Sequence, residues 1–279
     1  MAGKNPLCRG EAAPTWRQEW ASIQGLHRAL QAPPRKTGSD QDGRAQWETV
    51  SGPYWTPRGA GPDYVGRLAA EMLANVYDLG FLRETDGQAV VLDCGANVGF
   101  FSRFAFTSGA GRVIAFEPSP ENAACLGLNL AREIAAGQAT LVKKGLWDRE
   151  TILAFSTGNV NNPGGHHIVE NGSGDIRVPV TSIDSVCDEL RLSRVDYIKM
   201  DVEGAEVRAL EGAAGVIRKF HPRLCVATEH TDDLFANSVA VIETVRKIDP
   251  GYRYLCAENH LWPSPSRGSV LTPFSLLFY

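Results

Sequence analysis

Two kinds of apolar pattern alternate along the chain. Short continuous runs fall at residues 90–92, 113–116, 139–146, 195–200, 223–230, 252–257 and 274–279. Between them, apolar residues recur every three or four positions, as in Val65, Leu68, Ala69, Met72, Leu73, Val76 and Leu79 just before Gly80. An uninterrupted apolar run suits a strand buried on both faces, and the longer period suits a helix covering such a sheet. Further helices are predicted at residues 98–107, at 119–135 with Ser119 as cap, at 204–216 and at 238–248. The alternation predicts an α/β fold, doubly wound around a seven-stranded, mostly parallel sheet. Two extra β segments, 151–156 and 176–183, flank a polar Gly/Asn loop that ends in His166 and His167. Residues 1–64 stand apart as an extension with a helix at 16–30 and an aperiodic loop at 32–46, leaving 65–279 as the main domain.

Chemistry enters at the end of the first run. Val90, Val91 and Leu92 lead into Asp93, and Gly95 and Gly99 follow four residues apart before a new apolar stretch from Phe100. A buried strand turning tightly into a helix makes a ligand cleft, because glycines let backbone come close to what a Cβ would repel. The spacing is not that of a dinucleotide fingerprint, since Asn97 and Phe100 stand where glycines would be required. Nor does the chain contain a G-x-x-x-x-G-K-[ST] loop for a triphosphate. The second run ends in Glu117 and Pro118, about two dozen residues beyond Asp93. An acid at that strand tip accepts hydrogen bonds from a ribose diol and repels a 2′-phosphate. The implied ligand is a nucleoside without phosphate at that end.

Three motifs in order, D-x-G-A-N-x-G at 93–99, E-P-x-P with the later Asn129, and K-x-D-V-E-G-x-E at 199–206, resemble the FkbM family of S-adenosylmethionine-dependent methyltransferases. The resemblance spans roughly residues 50–279. It implies a Rossmann-like class I methyltransferase sheet whose seventh strand is inserted antiparallel between the fifth and sixth. It also implies S-adenosyl-L-methionine as cofactor, held by Asp93, Gly95, Ala96, Asn97, Gly99, Phe100, Glu117, Pro118 and Asp201, with Leu146 and Trp147 beside the adenine and Asp148 near its amine. For Trp147, plain core packing is the equal alternative. In methyltransferases of this architecture an N-terminal extension forms a lid or a dimer contact, and Tyr54 and Trp55, between Pro53 and Pro57, are the lid candidates for touching substrate.

The remaining candidates follow from strand ends. Adjacent parallel strands finish on one edge, so Asp201 and Glu203 after the fourth run meet Glu229 and His230 after the fifth. Methyl transfer to a hydroxyl needs that hydroxyl's proton removed, which makes His230 the first candidate base and Asp201 and Glu203 the next. Helix capping is the competing role for the two acids. Glu229, His166 and His167 are candidate acceptor contacts, with solvated loop histidines as the alternative for the last two. The same donors could take Mg²⁺ or Mn²⁺, but no recognised ligand spacing is present, and no metal is assigned.

Composition narrows the partners. A net charge of −4 argues against nucleic acid, which demands a basic face. No stretch approaches a membrane-spanning length of apolar residues and no signal-peptide core opens the chain, so a cytoplasmic enzyme is expected. Six cysteines without a C-x-x-C pair read as reduced thiols. The expected activity is O-methylation of a hydroxyl on a sugar or specialised metabolite. Carboxyl or N-methylation and a non-catalytic cofactor-binding module are the alternatives. An NAD-dependent oxidoreductase is disfavoured by the missing glycines, and homodimerisation stays open.

Overall fold

The computed structural model describes residues 32–73, 77–156, 167–169, 174–230, 233–264 and 268–279. Among the described residues three strands come first, β1 (Arg35–Ser39), β2 (Ala45–Thr49) and β3 (Gly52–Thr56), paired antiparallel in that order. They replace the loop expected over residues 32–46. Asp40 Oδ1 accepts the backbone N–H groups of Asp42 and Arg44 and closes the turn between β1 and β2. On β2, Ala45, Trp47 and Thr49 alternate inward, a two-residue period too short to stand out from a Pro- and Gly-rich sequence. The helix expected at residues 16–30 lies outside the described residues.

Helix α1 (Pro62–Leu73) buries the predicted stripe of Val65, Leu68, Ala69 and Met72 together with Tyr64. Of the period read on to Leu79, Val76 lies outside the described residues and Leu79 opens a separate 3₁₀ turn at Leu79–Thr85. There follow β4 (Ala89–Cys94), α2 (Phe100–Thr107), β5 (Ala110–Phe116), α3 (Pro120–Asn129), α4 (Ala131–Ala135), β6 (Ala139–Val142), β7 (Gly145–Leu146), β8 (Thr151–Ser156), β9 (His167–Val169) and β10 (Ile176–Thr181). The chain continues through α5 (Ile183–Glu189), β11 (Tyr197–Met200), α6 (Glu206–Glu211), α7 (Ala214–Phe220), β12 (Arg223–Ala227), α8 (Leu234–Ile248), β13 (Tyr254–Ser264) and β14 (Gly268–Phe278).

Seven of these strands form one sheet in the order β13-β14-β12-β11-β4-β5-β6. All its pairings are parallel except those of β14, which runs antiparallel between β12 and β13. Every side chain of β4 and of β11 is buried, as a strand covered on both faces requires. One core, including Leu92, Ile114, Ile198, Leu224 and Val241, lies on one side of the sheet, and another, including Val65, Val91, Phe101, Val113 and Leu126, lies on the other. The expected strand at 139–146 divides: β6 stays in the main sheet, while β7 joins a second sheet of order β7-β10-β8-β9. The helix expected at 204–216 also divides. The Gly212 carbonyl is taken by the Asp184 N–H, and the Asp184 carboxylate caps α7 through the N–H groups of Gly215 and Val216.

Cys94, Cys125, Cys187 and Cys225 are free and buried, as expected, but Cys256 is disulfide-bonded, a pairing that no local spacing signals. Among the described residues no helix is long and apolar enough to cross a membrane.

Candidate active site

Register brings the site together. Lys199 pairs with Asp93 and Met200 with Cys94 across β11 and β4, and Met200 pairs with Val226 on β12, so the three strands end level. The turns after them therefore share one edge of the sheet, where a doubly wound fold binds its ligands. Gly95 seats the first turn on the second. Its φ is +81°, and a Cβ there would lie 1.9 Å from the Asp201 carbonyl oxygen.

Glu117 organises the turn after β4. Its Oε2 accepts the Asn97 N–H and its Oε1 accepts the Ser119 N–H, both at 2.8 Å. It thus ties the turn after β4 to the cap of α3 while lining a cleft of about 830 Å³, counted out to open solvent. Burial pushes its carboxyl up to about 8, although the two N–H groups favour the ionised form. Asn97 sits in the left-handed region at φ 51°, and its Oδ1 accepts the Tyr64 hydroxyl at 2.6 Å. Gly95, Ala96, Phe100, Pro118, Leu146 and Asp201, all assigned to the cofactor by resemblance, line the same cleft. Gly99 caps α2 at φ 91° and packs on Leu126, where a Cβ would come within 2.6 Å of Cδ1.

Other assigned residues fall elsewhere. Asp93 is wholly buried beneath the turn, where its Oδ2 accepts the Ser102 hydroxyl at 2.6 Å, so it supports the cleft without lining it. Trp147 packs in a small core with Phe155, Val178, Val180 and Ala205 under the Arg208 guanidinium, which is the core-packing alternative; Asp148 pairs with Arg149 and Arg208 outside the cleft. The lid assignment is corrected as well. Tyr54 is a core residue, stacked on Phe100 with ring centroids 3.7 Å apart. Trp55 has its backbone held by Asn129, whose side-chain amide spans the Trp55 N–H and the carbonyls of Trp55 and Val98. Aromatic rings between prolines are packed here because β3 lies against α3 and α2. His166 lies outside the described residues, and of His167 only its place in β9 is described.

A charged wall closes the cleft. Lys199, 4% exposed, donates to the Gly95 carbonyl at 2.8 Å and lies 3.4 Å from Asp201 and 3.6 Å from Asp93. Burial opposes its charge, but Asp201 and Asp93 outweigh it and raise the ammonium above the usual lysine value. Burial likewise opposes ionised Asp201, yet Lys199 and His230 hold that carboxyl below its usual range. Glu203, in the left-handed region at φ 54°, is pushed up by burial to about 7. Such a conformation in a non-glycine residue costs of order 1 kcal/mol.

His230 lies at the centre of this wall. Its Nδ1 faces Oε1 of the fully buried Glu206 at 3.2 Å, and the same oxygen accepts the N–H groups of Val202 and Gly204. Its Nε2 is 3.3 Å from Asp201, 3.7 Å from Glu203 and 3.7 Å from Glu229. Burial lowers its pKa, but Glu206, Asp201 and Glu203 reverse this and raise it to about 10. A histidine that its neighbours hold protonated is a donor, and the acids that the strand register brings to it are the groups able to take a proton. Lys199 and Glu206 were both inside the quoted motif, but their roles as ion-pair centre and histidine anchor depend on burial that spacing does not reveal.

Beyond the wall lies a second cavity lined by Arg67, Glu71, Asp201, Glu203, Glu229 and His230 among others. Asp201, Glu203, Glu71 and Asn97, with Leu68 and Tyr77, line both cavities and so form the boundary between them.

The parallel sheet with its antiparallel β14 and this cleft at the strand ends define a Rossmann-like methyltransferase fold. The sequence matches the methyltransferase FkbM domain over residues 93–254, more than half of its length, and the chain belongs to that family. Hexuronic acid methyltransferase AglP of Haloferax volcanii is 27% identical over 137 residues, 49% of this chain and 55% of that protein. AMB antimetabolite synthetase AmbE of Pseudomonas aeruginosa is 30% identical over 44% of this chain, which spans 8% of that protein. The crystal structure of methyltransferase FkbM from Methylobacillus flagellatus aligns with a TM-score of 0.50 at 18% identity, covering 94% of this chain and 61% of that one. The chain thus spans less than two thirds of each of these relatives.

Proposed function

We propose that this chain is an S-adenosylmethionine-dependent O-methyltransferase acting on a hydroxyl of a small polyhydroxylated molecule, a sugar or a specialised metabolite. The observation that carries the reading is the shared wall: Asp201 and Glu203 line both the cleft bounded by Glu117 and the acid-rich cavity behind it. The cleft suits the cofactor because Glu117 presents two carboxylate oxygens that are fixed by backbone donors and accept from a ribose diol. Phe100, Pro118 and Leu146 supply apolar surface for the base, and the end of α2 offers N–H groups for a carboxylate. S-adenosylmethionine, when bound, supplies the methyl group as a sulfonium.

The chain's own residues then have two tasks. Holding an acceptor in line across the wall is worth about 7 to 11 kcal/mol when the geometry is near attack. Carboxylates of the wall take the hydroxyl proton, which adds roughly 10² to 10⁴ in rate. Four carboxylates, Glu71, Asp201, Glu203 and Glu229, line the second cavity against Arg67 and His230, which favours a neutral hydroxylated acceptor over a carboxylate one. The relationship to a hexuronic acid methyltransferase is consistent with a sugar.

Methyl transfer from labelled S-adenosylmethionine to a panel of sugars and an extract of the source organism tests this. Label that survives mild base supports an ether. Label lost to base indicates a methyl ester and contradicts the hydroxyl assignment.

A further inference from the structure

The wall holds more than a proton acceptor requires. Asp201, Glu203 and His230 each place one donor atom so that all three lie within 4.8 Å of one another. Donors about 2.1 Å from a common ion are roughly 3.0 Å apart at right angles and 4.2 Å apart across it. The distances from His230 Nε2 to Asp201 Oδ1, 3.3 Å, and to Glu203 Oε2, 3.7 Å, fall in that range.

Two further observations point to a cation. Asp201 Oδ1 is sealed from solvent and meets no hydrogen-bond donor at an acceptable angle, although Nε2 is near. The imidazole edge at 3.3 Å is what faces that oxygen, and a cation seated between the two would take both as ligands. Glu206, for its part, is wholly buried and fixes Nδ1, so that Nε2 is the nitrogen turned toward the carboxylates. A carboxylate that orients a histidine through its far nitrogen is the arrangement that steadies metal-binding imidazoles.

We propose that Asp201, Glu203 and His230 form a divalent-cation site of the Mn²⁺ class, set in the wall between the two cavities, where the ion holds an acceptor through two neighbouring oxygens. One imidazole with two carboxylates suits Mn²⁺ better than Mg²⁺, which prefers oxygen alone. The ion takes the place of the imidazole proton and leaves positions open toward the second cavity. A vicinal diol fills two such positions, and coordination makes the hydroxyl more acidic. The choice of acceptor rests on the function proposed above; the cation site does not.

The test titrates the purified full-length protein with MnCl₂, without S-adenosylmethionine or acceptor, and follows the free Mn²⁺ signal by electron paramagnetic resonance. The expected result is one Mn²⁺ per chain. His230→Gln and Glu203→Gln should each weaken binding at least tenfold, and Glu189→Gln, on an exposed end of α5, should leave it unchanged. Circular dichroism checks that the variants fold, and Glu203→Gln, at a partly exposed turn, decides the matter if His230→Gln does not. A wild-type protein that leaves the Mn²⁺ signal undiminished, or variants that bind as tightly as wild type, would overturn the site. Mn²⁺ binding without methyl transfer to any acceptor would keep the site and sink the functional reading. Full methyl transfer in chelator by a protein that binds no Mn²⁺ would do the reverse.

Discussion

Replacing Glu117 by Gln should weaken cofactor binding and remove its pH dependence. The wild-type carboxylate accepts the Asn97 and Ser119 N–H groups at 2.8 Å each and turns its remaining lone pairs to the cleft. An amide has one acceptor atom only, so its NH₂ must face either a backbone N–H or a ribose hydroxyl it cannot accept from. Losing one charge-assisted hydrogen bond costs about 1.5 to 3 kcal/mol. That corresponds to roughly 10- to 150-fold in dissociation constant. Because burial holds the carboxyl at about 8, the ionised form is the minor one at pH 6. Apparent affinity of the wild type should therefore rise close to tenfold per pH unit below 8 and level off above it. Titration calorimetry with S-adenosylhomocysteine between pH 6 and 9 reads both effects. If Glu117→Gln bound as tightly as wild type, or the wild-type affinity were flat across that range, Glu117 would not be the ribose acceptor.

Other substitutions separate support from contact. Lys199→Met leaves Asp93 and Asp201 without their cation and should cost about 3 to 5 kcal/mol in urea unfolding; a smaller loss would mean the pair contributes little. Gly95→Ala forces a Cβ against the Asp201 carbonyl and should destabilise by about 3 kcal/mol or more, so a well-folded variant with wild-type affinity would refute the close approach. Trp147→Phe should lower the melting temperature yet leave the S-adenosylhomocysteine affinity within about twofold, because the indole packs behind Phe155 on Val178 and does not itself line the cleft. Glu203→Gly should relieve the left-handed strain and gain up to about 1 kcal/mol of stability while methyl transfer falls; activity at the wild-type level would remove Glu203 from the wall's chemistry.

The parts legible in the sequence are those fixed by local pattern. Continuous apolar runs gave β4, β5, β11 and β12, and the rule that parallel strands end together placed Asp201, Glu203, Glu229 and His230 in one cluster before any distance was known. Ser119 caps α3 as its position foretold. Tertiary context hid the rest. β1 and β2 carry too few apolar positions to announce a sheet, and contacts such as those of Tyr54 with Phe100 and of Trp55 with Asn129 show why that segment packs. Trp147 and Leu146 are adjacent and apolar, so nothing local says that Leu146 faces the cleft and Trp147 a separate core. The state of His230 follows from Glu206, whose burial a charged letter in a sequence does not reveal.

The most direct test of the whole account is transfer of label from methyl-labelled S-adenosylmethionine by the purified protein to polyhydroxylated acceptors, with the product then treated with mild base. The account predicts label in a base-stable ether, lost when both Asp201 and Glu203 are replaced by their amides. Cofactor binding with no transfer to any acceptor, or label released wholly as a base-labile ester, would contradict it.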